Sequence, residues 1–150
     1  MIFSDSHLAI LERFGEAVRV LELGSGEMST KRFLDRAFFP RLSSLTVIED
    51  DPEWAARIPM DPRVEAVYSG SIGHFLREQP QSFWAFDLIF IDNSRTVTER
   101  VEAIKAVVDA KPLGVVVIHD FDCPSYREAA KFASVTVHDA LRPWTAVCRA

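Results

Sequence analysis

Short apolar runs alternate with amphipathic stretches along the whole of this chain, and few folds accept that order. VRVLEL at 18–23, LTVIE at 45–49, VEAVY at 64–68, DLIFI at 87–91 and GVVVI at 114–118 read as strands, with helical patterns between them. Strands separated by helices need crossover connections, and so form a parallel sheet covered on both faces. DLIFI and GVVVI are apolar throughout, which suits strands buried on both sides. SVTVH at 134–138 and WTAVCR at 144–149 bring the expectation to about seven strands and six helices.

The helices are read from their spacing and caps. Leu8, Leu11 and Phe14 predict a helix over 6–17, and Phe33, Leu34, Ala37 and Phe38 one over 28–38, stopped by Pro40. Asp51 is a good N-cap with Pro52 at the first helical position, and that helix is expected to end near Pro59. Ser71 caps a short helix carrying Ile72, Phe75 and Leu76. Val97, Val101, Ile104, Val107 and Val108 predict the clearest helix, over 96–110, and 125–132 a last one.

The 150 residues show no repeat and no linker, so residues 1–150 are read as one domain, with only a short helix before the first strand. There are 17 basic and 22 acidic residues, a formal net charge of -5, which argues against a nucleic-acid partner. The longest apolar runs fall far short of the ~20 residues that cross a bilayer, so no membrane partner is expected. The N-terminus has no basic leader and no long apolar core. Two cysteines, Cys123 and Cys148, do not make a disulfide framework, and a reduced, cytoplasmic protein is expected.

Chemistry in an open α/β sheet gathers just beyond the carboxyl ends of the strands. The residues there are Glu22 to Gly26, Glu49 to Asp51, Ser69 to Ser71, Asp92 to Arg95 and His119 to Asp122. Four of these five clusters hold an acid, which is the main functional signal. The turn GSGE lets the backbone come close to a ligand and opens a helix. Glu49, at the end of the second strand, is placed to accept both hydroxyl hydrogens of a ribose. A dinucleotide site wants a third glycine, but that position is Ser29. Glu22 just before the turn repels a pyrophosphate and suits a ligand carrying a sulfonium and an ammonium. Both features favour S-adenosylmethionine over NAD.

LELGSGEMST resembles the first motif of class I S-adenosylmethionine-dependent methyltransferases, and VIEDDPEW the second. FDLIFIDNSR resembles their fourth-strand motif and GVVVIHDF the fifth, so the resemblance spans residues 18–122. It implies a doubly wound, Rossmann-like sheet with helices on both faces and the last strand antiparallel. It implies S-adenosylmethionine as cofactor. Glu22, Gly24, Ser25 and Gly26 would cradle the methionine part, Glu49 the ribose, Asp50 the adenine side, and Gly70 and Ser71 the adenine edge. Asp92 would face the reacting methyl group or the amine. The sequence departs from the pattern at Ser29, at Asn93 where many relatives have glycine, and in the single glycine of KPLG.

Methyl transfer is an in-line displacement, so the catalytic candidates are the side chains that converge on the methyl carbon: Asp92, Arg95, His119 and Asp120. His119 or Asp120 is the candidate general base. Arg95 pairs with Asp92 or holds an acidic substrate group. Asp92 and Asp120 also fall where metal-dependent O-methyltransferases place two carboxylate ligands, which makes Mg²⁺ a candidate. The third ligand of those relatives would fall at Phe121, with Asp122 one step further. The leading expectation is O-methylation of a small-molecule acceptor. A catalytically silent S-adenosylmethionine- or nucleoside-binding module is the first alternative, because little chain lies outside the core sheet. An NAD-binding oxidoreductase is the second. Phe38, Phe39, Trp144 and Val147 are apolar residues that a homo-oligomer would cover.

Overall fold

The computed structural model describes residues 6–93 and 96–150. The strands are β1 (Arg19–Leu23), β2 (Ser44–Glu49), β3 (Val64–Tyr68), β4 (Leu88–Ile91), β5 (Val115–Ile118), β6 (Ser134–His138) and β7 (Thr145–Arg149). They form one sheet in the order β3-β2-β1-β4-β5-β7-β6. β1 to β5 are parallel, and β7 runs antiparallel to both β5 and β6. Each strand begins and ends within one residue of the range its apolar run predicts.

The helices are α1 (Ser6–Leu11), α2 (Ser29–Leu34), α3 (Pro52–Ala55), α4 (Ile72–Arg77), α5 (Val97–Ala110) and α6 (Pro124–Ala129). Several are shorter than their patterns predict. α1 gives way to a 3-10 turn over Glu12–Phe14. α2 stops at Leu34 because Asp35 leaves the helical region and its carboxylate accepts the Ala37 N–H, a local turn that competes with the helix. α3 ends at Ala55, ahead of Pro59, and continues as tight turns from Trp54 to Arg57 and Ala55 to Ile58. α6 ends at Ala129, short of residue 132. The caps are as expected: Asp51 accepts the Glu53 N–H and Ser71 the His74 N–H.

Alternate strand residues face opposite sides and build two cores. Val20, Val47, Phe90 and Val117 pack against Leu8, Leu11, Phe33 and Phe39 on the α1–α2 side. Leu21, Leu23, Ile91 and Ile118 pack against Ile72, Leu76, Ile104 and Val107 on the α4–α5 side. Asp87 fixes where β1 starts, its Oδ2 accepting the N–H groups of Val18 and Arg19, each at 2.8 Å.

From β3 at one edge the chain returns on the far side of β1 as β4, so the strand order switches between β1 and β4. The register pairs Leu23 with Ile48 and with Ile91, and Ile91 with Ile118. The next residue on each strand, Gly24, Glu49, Asp92 and His119, therefore stands in one row along the carboxyl edge.

Candidate functional site

The glycine turn sits at one end of this row. Gly24 has φ +82 and donates its N–H to the Ile48 carbonyl at 2.8 Å. A Cβ there would lie 2.6 Å from Asn93 Cα and 2.7 Å from Asp92 O. Gly24→Ala therefore combines a left-handed backbone with a clash against the Asp92–Asn93 backbone just after β4, and an unfolding loss of about 2–3 kcal/mol is expected in urea titrations. An unchanged midpoint would show that the turn relaxes freely.

Glu49 ties this turn to β2. Its Oε1 accepts the N–H and the hydroxyl of Ser25, each at 2.9 Å, and its Oε2 accepts the N–H groups of Asp50 at 2.8 Å and Asp51 at 3.2 Å. Ser25 and Glu49, predicted to hold methionine and ribose, are thus already in contact. Gly26 donates to Thr30 Oγ1 at 3.1 Å. Glu22 lies beneath the turn with 0% exposure, accepting the hydroxyls of Ser29 and Thr30 at 2.5 Å each. Burial, which the two hydroxyls only partly offset, pushes its carboxyl up to about 8, with Asp92 and Glu49 adding to the rise. Asp50 is buried beside Glu49, Gly70 is exposed, and the Ser71 hydroxyl is used in capping α4.

Asp92, His119 and Asp120 meet at the other end. His119 Nδ1 lies 3.0 Å from Asp92 Oδ1 and 3.5 Å from Asp120 Oδ2. Burial opposes a charge on His119, but Asp120 and Asp92 outweigh it and push the imidazole up to about 9. Burial likewise works against the Asp120 charge, yet His119 and Arg100 hold that carboxyl down at about 2. Asp120 adopts φ +56, a left-handed conformation that aspartate tolerates better than most residues and that is typical of functional loops. The His119 ring is 4.4 Å from that of His7 in α1, and His7 stacks on Phe90. Arg95 lies outside the described residues.

Arg100 is the site residue that the sequence reading missed. It is 1% exposed on the inner face of α5. Its guanidinium donates to Asp120 Oδ2 at 2.9 Å, Asp92 Oδ1 at 3.3 Å, the His119 carbonyl at 3.1 Å and, through Nε, the Asn93 carbonyl. It also lies over the Tyr126 ring at 4.9 Å, so Tyr126 packs under this cluster from α6. With His119 and Arg100 both charged, the two carboxylates are neutralised from within the chain.

Ligand-type atoms of Asp92, His119 and Asp120 come within 4.8 Å of one another, close enough for one ion. The charge does not fit one. A dication beside these carboxylates would meet the fixed positive charge of Arg100, which already bridges both. The expected Mg²⁺ at Asp92 and Asp120 therefore does not suit this arrangement.

Asn93 is different. It is 1% exposed, and both its amide oxygen and nitrogen are buried without a partner among the described residues. Its backbone lies against Gly24 at the switch point, and a buried amide without a partner is uncommon enough to mark the position.

No protein-family model matches the sequence, and no curated protein matches it. Solved structures do. The MycE methyltransferase from the mycinamycin biosynthetic pathway, in complex with Mg and SAH, is 16% identical with a TM-score of 0.69, over 99% of this chain and 50% of that one. Spermidine synthase from Thermotoga maritima is 18% identical with a TM-score of 0.61, over 89% of this chain and 54% of that one. A spermidine synthase bound to the transition-state analogue AdoDATO is 17% identical with a TM-score of 0.64, over 97% of this chain and 60% of that one. The chain thus spans between half and about three-fifths of the length of these neighbours. No helix among the described residues is long and apolar enough to cross a membrane. At these identities the likeness is one of architecture, and the chain has the Rossmann-like fold of the S-adenosylmethionine-dependent methyltransferases, shared with the spermidine synthases.

Proposed function

We propose that the chain binds S-adenosylmethionine at the β1–β4 switch and transfers its methyl group to an oxygen of a small molecule. The observation that carries this reading is the single row of Gly24, Glu49, Asp92 and His119, with Ser25 and Glu49 already joined and the buried Asn93 amide beside the row without a partner among the described residues. When bound, the cofactor supplies a methyl carbon activated by its sulfonium. The backbone of Gly24 to Gly26 approaches the methionine part, and Glu49 holds the ribose. Glu22 supports the turn from beneath through Ser29 and Thr30. The SAH in MycE and the AdoDATO in spermidine synthase support an adenosyl ligand in this fold. The Mg of MycE is not carried over, because Arg100 already pairs with Asp92 and Asp120 here.

Alignment is what this site offers an acceptor. His119 is held protonated and Asp120 is held ionised at low basicity, so neither is a strong base at neutral pH. An acceptor hydroxyl that is itself acidic, such as a phenol or enol, suits the site best.

Isothermal titration calorimetry with S-adenosylhomocysteine tests the cofactor, with NAD as the control. Saturable binding of the former alone is expected, and Glu49→Ala should weaken it by at least about tenfold, close to 1.4 kcal/mol. An unchanged affinity in that variant would remove the ribose assignment. A silent binding module is favoured by one observation, the internal pairing of Asp92 and Asp120 with Arg100 and His119. Conversion of S-adenosylmethionine to S-adenosylhomocysteine with small-molecule extracts separates the two readings.

A further inference from the structure

We propose that Arg100 is the permanent cation of the Asp92–Asp120 cluster and stands where a divalent ion would otherwise bind. Two carboxylates converging on one point need a counter-charge. Oxygen-rich sites commonly obtain it from a hard divalent ion, which keeps several waters and needs free carboxylate oxygens. In this chain the counter-charge is covalently attached. One face of the guanidinium fork meets Asp120 Oδ2 at 2.9 Å, and another nitrogen meets Asp92 Oδ1 at 3.3 Å. Asp92 Oδ1 also faces His119 Nδ1 at 3.0 Å, so that oxygen has two cationic neighbours.

The guanidinium is anchored on every side. Nε donates to the Asn93 carbonyl after β4, Nη1 also donates to the His119 carbonyl after β5, and Tyr126 of α6 lies beneath it. At 1% exposure it cannot swing out to solvent without opening the contact between α5 and α6. A guanidinium has no lone pair to give and keeps its charge at any ordinary pH, so it cannot ligate a metal and its fixed charge repels one from the cluster. The consequence reaches the ligand class. The outer carboxylate edges, on Asp92 and on the 39% exposed Asp120, remain open as acceptors. They suit a ligand that donates a hydrogen bond, a hydroxyl or an ammonium, and not an oxyanion that needs a metal to hold it. This assignment stands apart from the reaction proposed above, since it concerns only which cation the cluster accepts.

Mn²⁺ is the probe, followed by water-proton relaxation and by calorimetry on the whole chain. The wild type is expected to show no saturable Mn²⁺ binding that depends on Asp120. Arg100→Gln should acquire a saturable site at least about tenfold tighter than any wild-type binding, and Asp120→Asn added to that variant should remove it. Wild-type binding that Asp120→Asn abolishes would overturn the proposal, as would a folded Arg100→Gln protein that stays blind to Mn²⁺. Should Arg100→Gln fail to fold, comparing the wild type with Asp120→Asn decides alone. No difference between them upholds the proposal, and lost binding overturns it.

Discussion

Replacing Arg100 by Met is expected to lower the unfolding free energy by roughly 3–5 kcal/mol, the range for removing one partner of a buried ion pair. Met keeps most of the unbranched stem, so packing against Tyr126 changes little and the loss isolates the charge. What remains are the carboxylates of Asp92 and Asp120, left with His119 as their one cation among the described residues, and the carbonyls of Asn93 and His119, which lose the guanidinium donor. For a chain of this size 1 kcal/mol moves the melting temperature by roughly 2–4 °C, so a drop of about 6–20 °C is expected. Arg100→Lys keeps the charge but cannot fork across several partners, and should fall between the two. Urea unfolding with an unchanged slope is the measurement. Adding Asp120→Asn to Arg100→Met should recover part of the loss, because the stranded charge is then gone. A Met variant within about 1 kcal/mol of the wild type would mean that the cluster is solvated well enough to do without its cation.

The apolar spacing of α5 hides Arg100 in the sequence. The apolar residues of α5 place a stripe through Val97, Val101, Ile104 and Val107, and an arginine is read as outside it. In the structure Val97 is 48% exposed, whereas Arg100, Ile104 and Val107 share the buried face at i, i+4 and i+7. A long cation in register with the core face was the available signal, since an arginine is almost never fully buried unless it is paired. Glu22 carries a similar lesson. It was expected to meet the ligand, yet it shares a strand face with Val20 and therefore points under α2, where Ser29 and Thr30 wait. The sheet itself was legible because strands buried on both faces must be apolar, and the row of site residues followed from where parallel strands end. The lengths of α1, α2, α3 and α6 were not, since local turns such as the one at Asp35 decide where a short helix stops.

Between pH 5 and 6.5 the wild type should lose stability as the pH rises, and Glu22→Gln should not. Unfolded, Glu22 releases its proton near 4.5; folded, it keeps the proton to about 8. Between those values the folded state binds more protons, so each pH unit of increase favours unfolding by roughly 1.4 kcal/mol. Below 4.5 both states are protonated and the stabilisation is whole; above about 8 both are ionised and the loss levels off. His119 acts in the same direction but later. Its contribution is complete below the ordinary 6.5 and disappears as the pH climbs through about 9. Asp120 acts at the acid end, where stability present above 3.8 is lost as the pH falls through about 2. Of these three groups Glu22 is the one whose shift spans pH 5 to 6.5, and a wild-type decline of roughly 2 kcal/mol from it is expected across that window. Gln reproduces the uncharged carboxyl, and its amide can donate to the Ser29 or Thr30 hydroxyl, so the variant should be flat across the window. By pH 7 it should exceed the wild type by roughly 2–3 kcal/mol, with about one hydrogen bond's worth discounted for rearrangement. Urea midpoints at three pH values in the window measure both slopes. Equal slopes in the two proteins would mean that Glu22 is ionised in the fold, with the Ser29 and Thr30 hydroxyls strong enough to hold a buried anion under the glycine turn.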